Sequence, residues 1–437
     1  MNFFSKHPPA ILTLGFLALV LVGAFLLSMP FAAIRDISII EAIFTATSAV
    51  TVTGLAVVST DEYTVFGQMV IAVLIQLGGL GFMTFAVLAV MSLHGKFSMT
   101  GQMAAQEALG NVGLNKIFST AKSVVVFSLI FESIAFVIMT LYWWGDVGLG
   151  RAMYQALFYS ISAFNNAGFA LSSDSLIPYA GSFVINMTVT LLIIIGGLGF
   201  LVLVDIRDQR RWSKLSLNSR LVIMATVGLN LFAFAAIWLM ERNNINTMAD
   251  MSWYDQALRS WFQAVTPRTA GFNTIPTDLT TDGTTFLTIL LMFVGGGSLS
   301  TASGLKIGTF VVLLLTTWSY LRQQEQVTAM GRTIPERLVK KALAVTIISL
   351  FMMVIAIYTL LVIEDEHNFL DVTFEVISAL STVGLSRGIT GSLSELGEFV
   401  IIIMMFAGRL GPLTLAYFIA LPKKRRIKYP DTNVQVG

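Results

Sequence analysis

The chain has no cysteine, three histidines and ten prolines among its 437 residues. Without cysteine there are no disulfides, no thioether-linked haem and no thiolate-bound zinc or iron–sulfur site. His7, His94 and His367 are too scattered for an H-E-x-x-H zinc site. Neither a G-x-x-x-x-G-K-[ST] phosphate loop nor a G-x-G-x-x-G following a strand occurs. The chain is therefore expected not to be an enzyme, to carry no organic cofactor and to bind no nucleic acid; any nucleotide control would have to come from another polypeptide. Charge is scarce too: 12% of residues are charged, against roughly a quarter in soluble domains, and 55% are hydrophobic. That balance belongs to a polytopic membrane protein embedded in the lipid bilayer.

The first segment, MNFFSKHPPAILTLGFLALVLVGAFLLSMP, has the basic start and apolar centre of a signal peptide. Its apolar run from Ala10 to Met29 is long enough to span, and no clean cleavage site follows, so a retained first helix is expected. The net charge of +2 says less than its distribution. Of 27 basic residues, 19 fall in Lys6, the loops 94–122, 205–220 and 322–341, and the tail 423–428. The alternate loops hold six: Arg35, Arg151, Arg242, Arg259, Arg268 and Arg387. The asymmetry places both termini in the cytoplasm. Acids, among them Asp174, Asp278, Glu364, Asp371 and Glu398, gather on the opposite side, where they would raise local cation concentration.

Internal repeats organise the chain. Ser48-AVTVTGL, Ser162-AFNNAGF, Gln263-AVTPRTAGF and Ser378-ALSTVGL align, with glycines at Gly54, Gly168, Gly271 and Gly384; the third carries a two-residue insertion containing Pro267. A second echo follows as Gly78-GLGF, Gly196-GLGF, Gly295-GGSL and Gly408-RLGP, at separations of 24, 28, 24 and 24 residues. Long apolar runs at 10–30, 64–93, 118–142, 181–204, 219–241, 284–321, 340–363 and 395–421 predict eight spans. Between them, 39–50, 152–164, 254–265 and 371–381 would make helices of about 16–18 Å, roughly half the ~30 Å hydrocarbon thickness. Such segments must re-enter and turn back, and their non-helical ends are tolerated only within protein or beside water. The expected fold is an all-α membrane protein of four M1–P–M2 repeats in pseudo-four-fold arrangement around one pore. The repeats would occupy 1–95, 96–210, 211–330 and 331–421, followed by a cytoplasmic tail, 422–437.

A half-helix followed by a glycine-containing strip offers backbone carbonyls to a dehydrated cation, with the negative helix end pointing the same way. The strips Thr51-Val52-Thr53-Gly54, Asn165-Asn166-Ala167-Gly168, Thr269-Ala270-Gly271-Phe272 and Ser381-Thr382-Val383-Gly384 thus read as a selectivity filter, with a cation held by carbonyls around the four glycines. The plain alternative, glycines that merely let helices pack, suits Gly78 and Gly196 better than Gly54, Gly168, Gly271 and Gly384.

Four such units, one glycine per strip, a polar interruption in the third M2 and an arginine in the fourth resemble the Ktr/Trk/HKT superfamily of potassium-translocating proteins, closest to its Ktr-type membrane subunit. The resemblance covers essentially the whole chain. It implies potassium uptake at a bacterial cell membrane, with Na+ a candidate activator. It further implies a homodimer and a cytosolic ring of RCK domains, KtrA- or KtrC-like, that binds nucleotides.

Two departures from symmetry stand out. In the third M2, Gly295, Gly296, Gly297, Ser298, Ser300, Thr301, Ser303 and Gly304 make a poor helix, so a mid-membrane loop is expected there, with Lys306 snorkelling or closing it. The resemblance implies that this loop is a gate. In the fourth, Arg409 replaces the aligned Gly79, Gly197 and Gly296. A guanidinium at that depth costs about 2.5–3.5 kcal/mol and tends to face a wet cavity, where it is a barrier to flow; the plain alternative is an ion pair with a neighbouring acid, for which Glu132 is a conceivable partner but is expected to pack its own way. The alternative function is an alternating-access, sodium-coupled cation symporter, for which broken helices are equally typical. An intramembrane enzyme would need paired acids, and only Glu132 reads as clearly buried.

Overall fold

Serine and threonine punctuate this chain where helices begin. Ser38, Thr64, Ser182, Ser216, Ser252, Thr281 and Ser394 each accept a hydrogen bond from the backbone N–H three residues on, which satisfies an otherwise unpaired donor of the first turn. Ser38 and Glu41 form a reciprocal capping box. The computed structural model describes residues 8–81 and 117–411. The run 64–93 beyond residue 81, most of the loop 94–122, the end of the run 395–421 and the tail 422–437 lie outside the described residues.

Fourteen α-helices are described: α1 (Pro8–Leu27), α2 (Ile39–Thr51), α3 (Val65–Gly79), α4 (Ile117–Val147), α5 (Leu149–Phe164), α6 (Phe183–Leu198), α7 (Phe200–Gln209), α8 (Leu217–Glu241), α9 (Trp253–Val265), α10 (Asp282–Phe293), α11 (Ile307–Leu321), α12 (Glu336–Ile363), α13 (Phe369–Leu380) and α14 (Glu395–Leu410). One small hairpin, β1 (Thr328–Ala329) with β2 (Arg332–Thr333), pairs antiparallel. Among the described residues, Ala121–Val147, Leu217–Glu241 and Glu336–Ile363 are long and apolar enough to cross a membrane without interruption. Their outward faces carry large exposed side chains such as Leu129, Leu231, Phe232, Phe351 and Tyr358, a surface that suits lipid and not water.

The core runs around the short helices. Phe44 to Thr51 of α2 are all buried, as are Phe374 to Leu380 of α13. α2 packs between α1, α3 and α14, α5 between α4 and α6, α9 on α8, and α13 between α12 and α14. Small residues permit these contacts. A Cβ on Gly78, Gly196 or Gly408 would strike the carbonyl of Val50, Phe164 or Leu380, each two residues after the aligned serine. The packing role expected of Gly78 and Gly196 is thus observed, and Gly408 shares it.

The runs expected to be continuous are broken at this level. α3 ends at Gly79, α6 at Leu198 and α14 at Leu410, and the chain leaves through Gly81 (φ 83°), Gly199 (99°) and Gly411 (85°). α6 and α7 are bent by 92°. The sequence singled out only the third run because apolar side chains conceal a backbone turn made by a single glycine.

Candidate functional site

At the C-terminal ends of α2, α5, α9 and α13 the chain follows one path four times. A non-glycine residue takes positive φ, namely Val52 (58°), Asn166 (59°), Thr269 (67°) or Thr382 (50°). Two residues later stands a glycine, Gly54 (94°), Gly168 (71°), Gly271 (76°) or Gly384 (89°). A β-branched residue in the left-handed region is strained and persists only where its surroundings fix it. Here they do. Thr53, Ala167 and Val383 donate their N–H to the carbonyls of Ser48, Ser162 and Ser378 at 2.8 Å each, and Ala270 donates to Thr266 at 3.0 Å. The hydroxyls of Ser48 and Ser378 accept from Gly54 and Gly384 at 3.0 Å. Ser162 donates to the Phe169 carbonyl at 2.8 Å, and Thr266 to that of Phe272.

These serines were visible only as alignment markers. Their constant spacing to the glycine was the signal of an anchoring role. In the third strip the anchor is Thr266 and not the aligned Gln263, because the insertion leaves Gln263 eight residues from its glycine while the Thr266 hydroxyl and carbonyl stand within reach of the strip.

The four strips meet in a closed circle. A Cβ on Gly168 would lie 2.9 Å from the Ala270 carbonyl oxygen, and one on Gly271 2.6 Å from that of Val383. On Gly54 and Gly384 it would press closer still, on the carbonyl oxygens of Ala167 and Thr53. Each glycine therefore abuts the carbonyl of the next strip, and the circle returns to its start. The flanks are tied back: Thr51 and Thr53 share a hydroxyl bond of 2.7 Å, and Asn165 donates to Gln76 at 2.7 Å. Phe272 is buried beside Tyr159, and Ser381 closes α13. Above the circle opens a cavity of about 430 Å3 lined by the four glycines with Asp174 and Asp278.

Below it lies the 294–306 segment, held by backbone bonds. Gly295 donates to Leu305 at 2.9 Å, Gly297 to Gly197 at 2.8 Å, and Phe200 to Leu299 at 2.7 Å; Gly296 accepts from Ile307 at 2.9 Å. Gly199 is pressed against the Ser298 carbonyl, while Gly304 takes positive φ. Ser300 donates to Gly297 at 2.7 Å, and Thr301 to the Asn166 side chain at 3.1 Å. Lys306 closes the segment on itself, donating to the Ala302 carbonyl at 2.6 Å. Arg409 spans the structure: it donates to the Thr301 carbonyl at 2.6 Å, the Ser303 hydroxyl at 3.2 Å, and the carbonyls of Gly78 and Gly79.

Glu132 packs its own way, as expected, accepting from Ser128 at 2.6 Å, Gln76 at 3.1 Å and Asn165 at 3.3 Å. Other expectations need correction. Arg268 is buried, not in an outer loop, and donates to Thr226 and Asn230 at 3.2 and 3.1 Å. Arg259 lies on α9. Glu132 is not the only buried acid: Glu241, Glu364, Glu375 and Glu398 are buried too. Glu241 and Glu364 accept from the helix-opening Thr281 and Ser394, and Glu375 from Ser386 and Thr390. For Glu241 and Glu364 the sequence carried no sign, because their acceptor role depends on helix starts 40 and 30 residues further along the chain. Near the outer surface, Arg35 is bonded to Glu41 and Glu62, which raises its pKa above the usual guanidinium value.

Short capped helices, interrupted spans and lipid-suited faces define an all-helical membrane protein of the transporter class. The chain belongs to the TrkH cation transport protein family, whose model matches residues 18–429; the resemblance read from the strips and Arg409 is thereby established. That is a family of membrane cation transporters and not of enzymes. The chain is 43% identical to the Ktr system potassium uptake protein B of Bacillus subtilis, covering 98% of this chain and 97% of that one. It is 34% identical to the potassium/sodium uptake protein NtpJ of Enterococcus hirae, covering 98% and 97%. The crystal structure of the potassium transporter TrkH from Vibrio parahaemolyticus superposes with a TM-score of 0.73 at 22% identity, covering 93% of this chain and 85% of that one, which is a likeness of fold.

Proposed function

We infer that the chain is the pore-forming subunit of a potassium uptake system, passing K+ into the cell under the membrane potential. The observation that carries this is the closed circle of Gly54, Gly168, Gly271 and Gly384, each against the carbonyl of the neighbouring strip. Carbonyls at four helix C-termini replace the hydration shell of a cation. Thr51 to Gly54, Asn165 to Gly168, Thr269 to Phe272 and Ser381 to Gly384 are its filter. The acidic cavity outside it gathers ions. Two curated relatives are named for potassium or potassium/sodium uptake, in keeping with this assignment and with a role for Na+.

The segment from Gly295 to Lys306 is the gate and Arg409 its latch, since a guanidinium bonded to both sides of the passage raises the barrier to a cation. The chain is four M1–P–M2 units, 1–95, 96–210, 211–330 and 331–421, with a tail, 422–437, and both termini in the cytoplasm of a bacterial cell. It works as a homodimer under a nucleotide-binding RCK-type ring docked on the basic inner loops. Rubidium-tracer uptake into liposomes containing only the purified chain, with Na+ as competitor, tests this. Uptake weakly blocked by Na+ supports it; no flux from either the wild type or a 298–304 deletion overturns it.

A further inference from the structure

A second cavity, of about 480 Å3, lies on the outward flank of the protein, between α4 and α5 and beside α3. Its size is within the ~300–1,000 Å3 of small-molecule sites. Leu129, Phe136, Met153, Leu157 and Ile161 line it, with Glu132 among them. Leu129, Met153 and Leu157 are 55%, 43% and 39% exposed, so the mouth opens sideways into lipid. From Met153 to Ile161 the slot follows α5 for two turns, ~12 Å at 1.5 Å per residue.

Glu132 makes this slot more than a gap for an acyl chain. It is buried, and among the described residues no Lys or Arg is within ion-pair distance of it. Its contacts come from neutral donors, and Oε2 takes only a 3.2 Å bond from Gln76. A carboxylate has roughly four acceptor positions, so one oxygen retains capacity for a further donor. In an apolar setting the complementary donor is a cation with an apolar body.

We propose that this slot binds a lipophilic ammonium, an alkyl chain with one protonated amine, its chain along α4 and α5 and its ammonium on Glu132. The site reaches the filter through one residue. Asn165 caps α5 at the second strip, donates to Glu132 and Gln76, and has a side chain that a Cβ on Gly79 would strike. Gly79 in turn accepts from Arg409. An ammonium seated on the free capacity of Oε2 draws the carboxylate toward itself and away from Asn165 and Gln76, so occupancy loosens the second strip.

The test uses the full chain in lipid nanodiscs and liposomes, with dodecylamine as probe and dodecanol as its uncharged match. Dodecylamine is expected to raise the thermal unfolding midpoint and lower rubidium uptake, and dodecanol to do neither. Glu132→Gln, which removes the charge, is expected to weaken the response about tenfold or more, the factor of a lost charge-assisted hydrogen bond, and Leu129→Trp, which plugs the mouth from the lipid side, to weaken it as well. Equal potency of dodecanol would mean an acyl-chain slot and overturn the assignment. Full sensitivity in Leu129→Trp would mean that the amine acts elsewhere, and would overturn it too. If Glu132→Gln does not fold, those two arms decide alone. The midpoint shift stands apart from transport, so it decides the site even if the chain carries no ion.

Discussion

If the glycine circle is the filter proposed above, adding one methyl group to each of its glycines in turn should damage selectivity in a graded order. Gly384→Ala places its Cβ hard against the Thr53 carbonyl, whereas Gly168→Ala leaves 2.9 Å to the Ala270 carbonyl, the mildest of the four. All four glycines have φ between 71° and 94°, where an L side chain costs ~1–2 kcal/mol. Displacing a packed neighbour adds ~1–3 kcal/mol. The strip can relieve this only by turning a carbonyl of the next strip away from its place. If ~1.4 kcal/mol falls on the K+-bound state alone, preference for K+ over Na+ drops about tenfold. The assay is rubidium-tracer uptake against rising Na+, with the thermal midpoint of each variant to separate misfolding from altered selectivity. Gly384→Ala should lose most and Gly168→Ala least. A reversed order among folded variants, or wild-type preference in Gly384→Ala, would refute the reasoning.

Three more outcomes follow from named contacts. Arg409→Gln removes the bonds to Thr301 and Ser303, each worth ~1.5–3 kcal/mol for a charged donor, so basal rubidium uptake should rise on the order of a hundredfold; unchanged uptake by folded protein would sink the latch. Ser48→Ala and Ser378→Ala strand the N–H of Gly54 and Gly384 at ~1–3 kcal/mol, and each should blunt the Na+ competition profile with a small fall in midpoint. Glu241→Ala removes the acceptor of Thr247, Asn244 and Thr281, a loss of ~2–4 kcal/mol, and should lower the thermal midpoint with unchanged selectivity; a selectivity change would show that this end of α8 reaches the filter.

The sequence by itself determined a great deal here, and the reason is repetition. Four glycines at matched positions after helices too short to cross could not be explained by packing alone, and the polar run in the third M2 and Arg409 were legible as breaks in that pattern. Membrane residence followed from scarce charge, and the expectation of re-entry from helix length, both local properties. Only the tertiary structure decided what those residues touch. Arg409 reaches carbonyls of Gly78 and Gly79 some 330 residues away along the chain, and Glu132 meets Gln76 and Asn165 instead. Arg268 looked like a surface charge until α8 was packed against it. The breaks after Gly79, Leu198 and Leu410 were hidden in apolar sequence, because hydropathy reports solvent preference and not backbone direction. Periodicity and composition fix which groups must escape lipid; which partner satisfies each is decided by the packing of segments far apart in the chain.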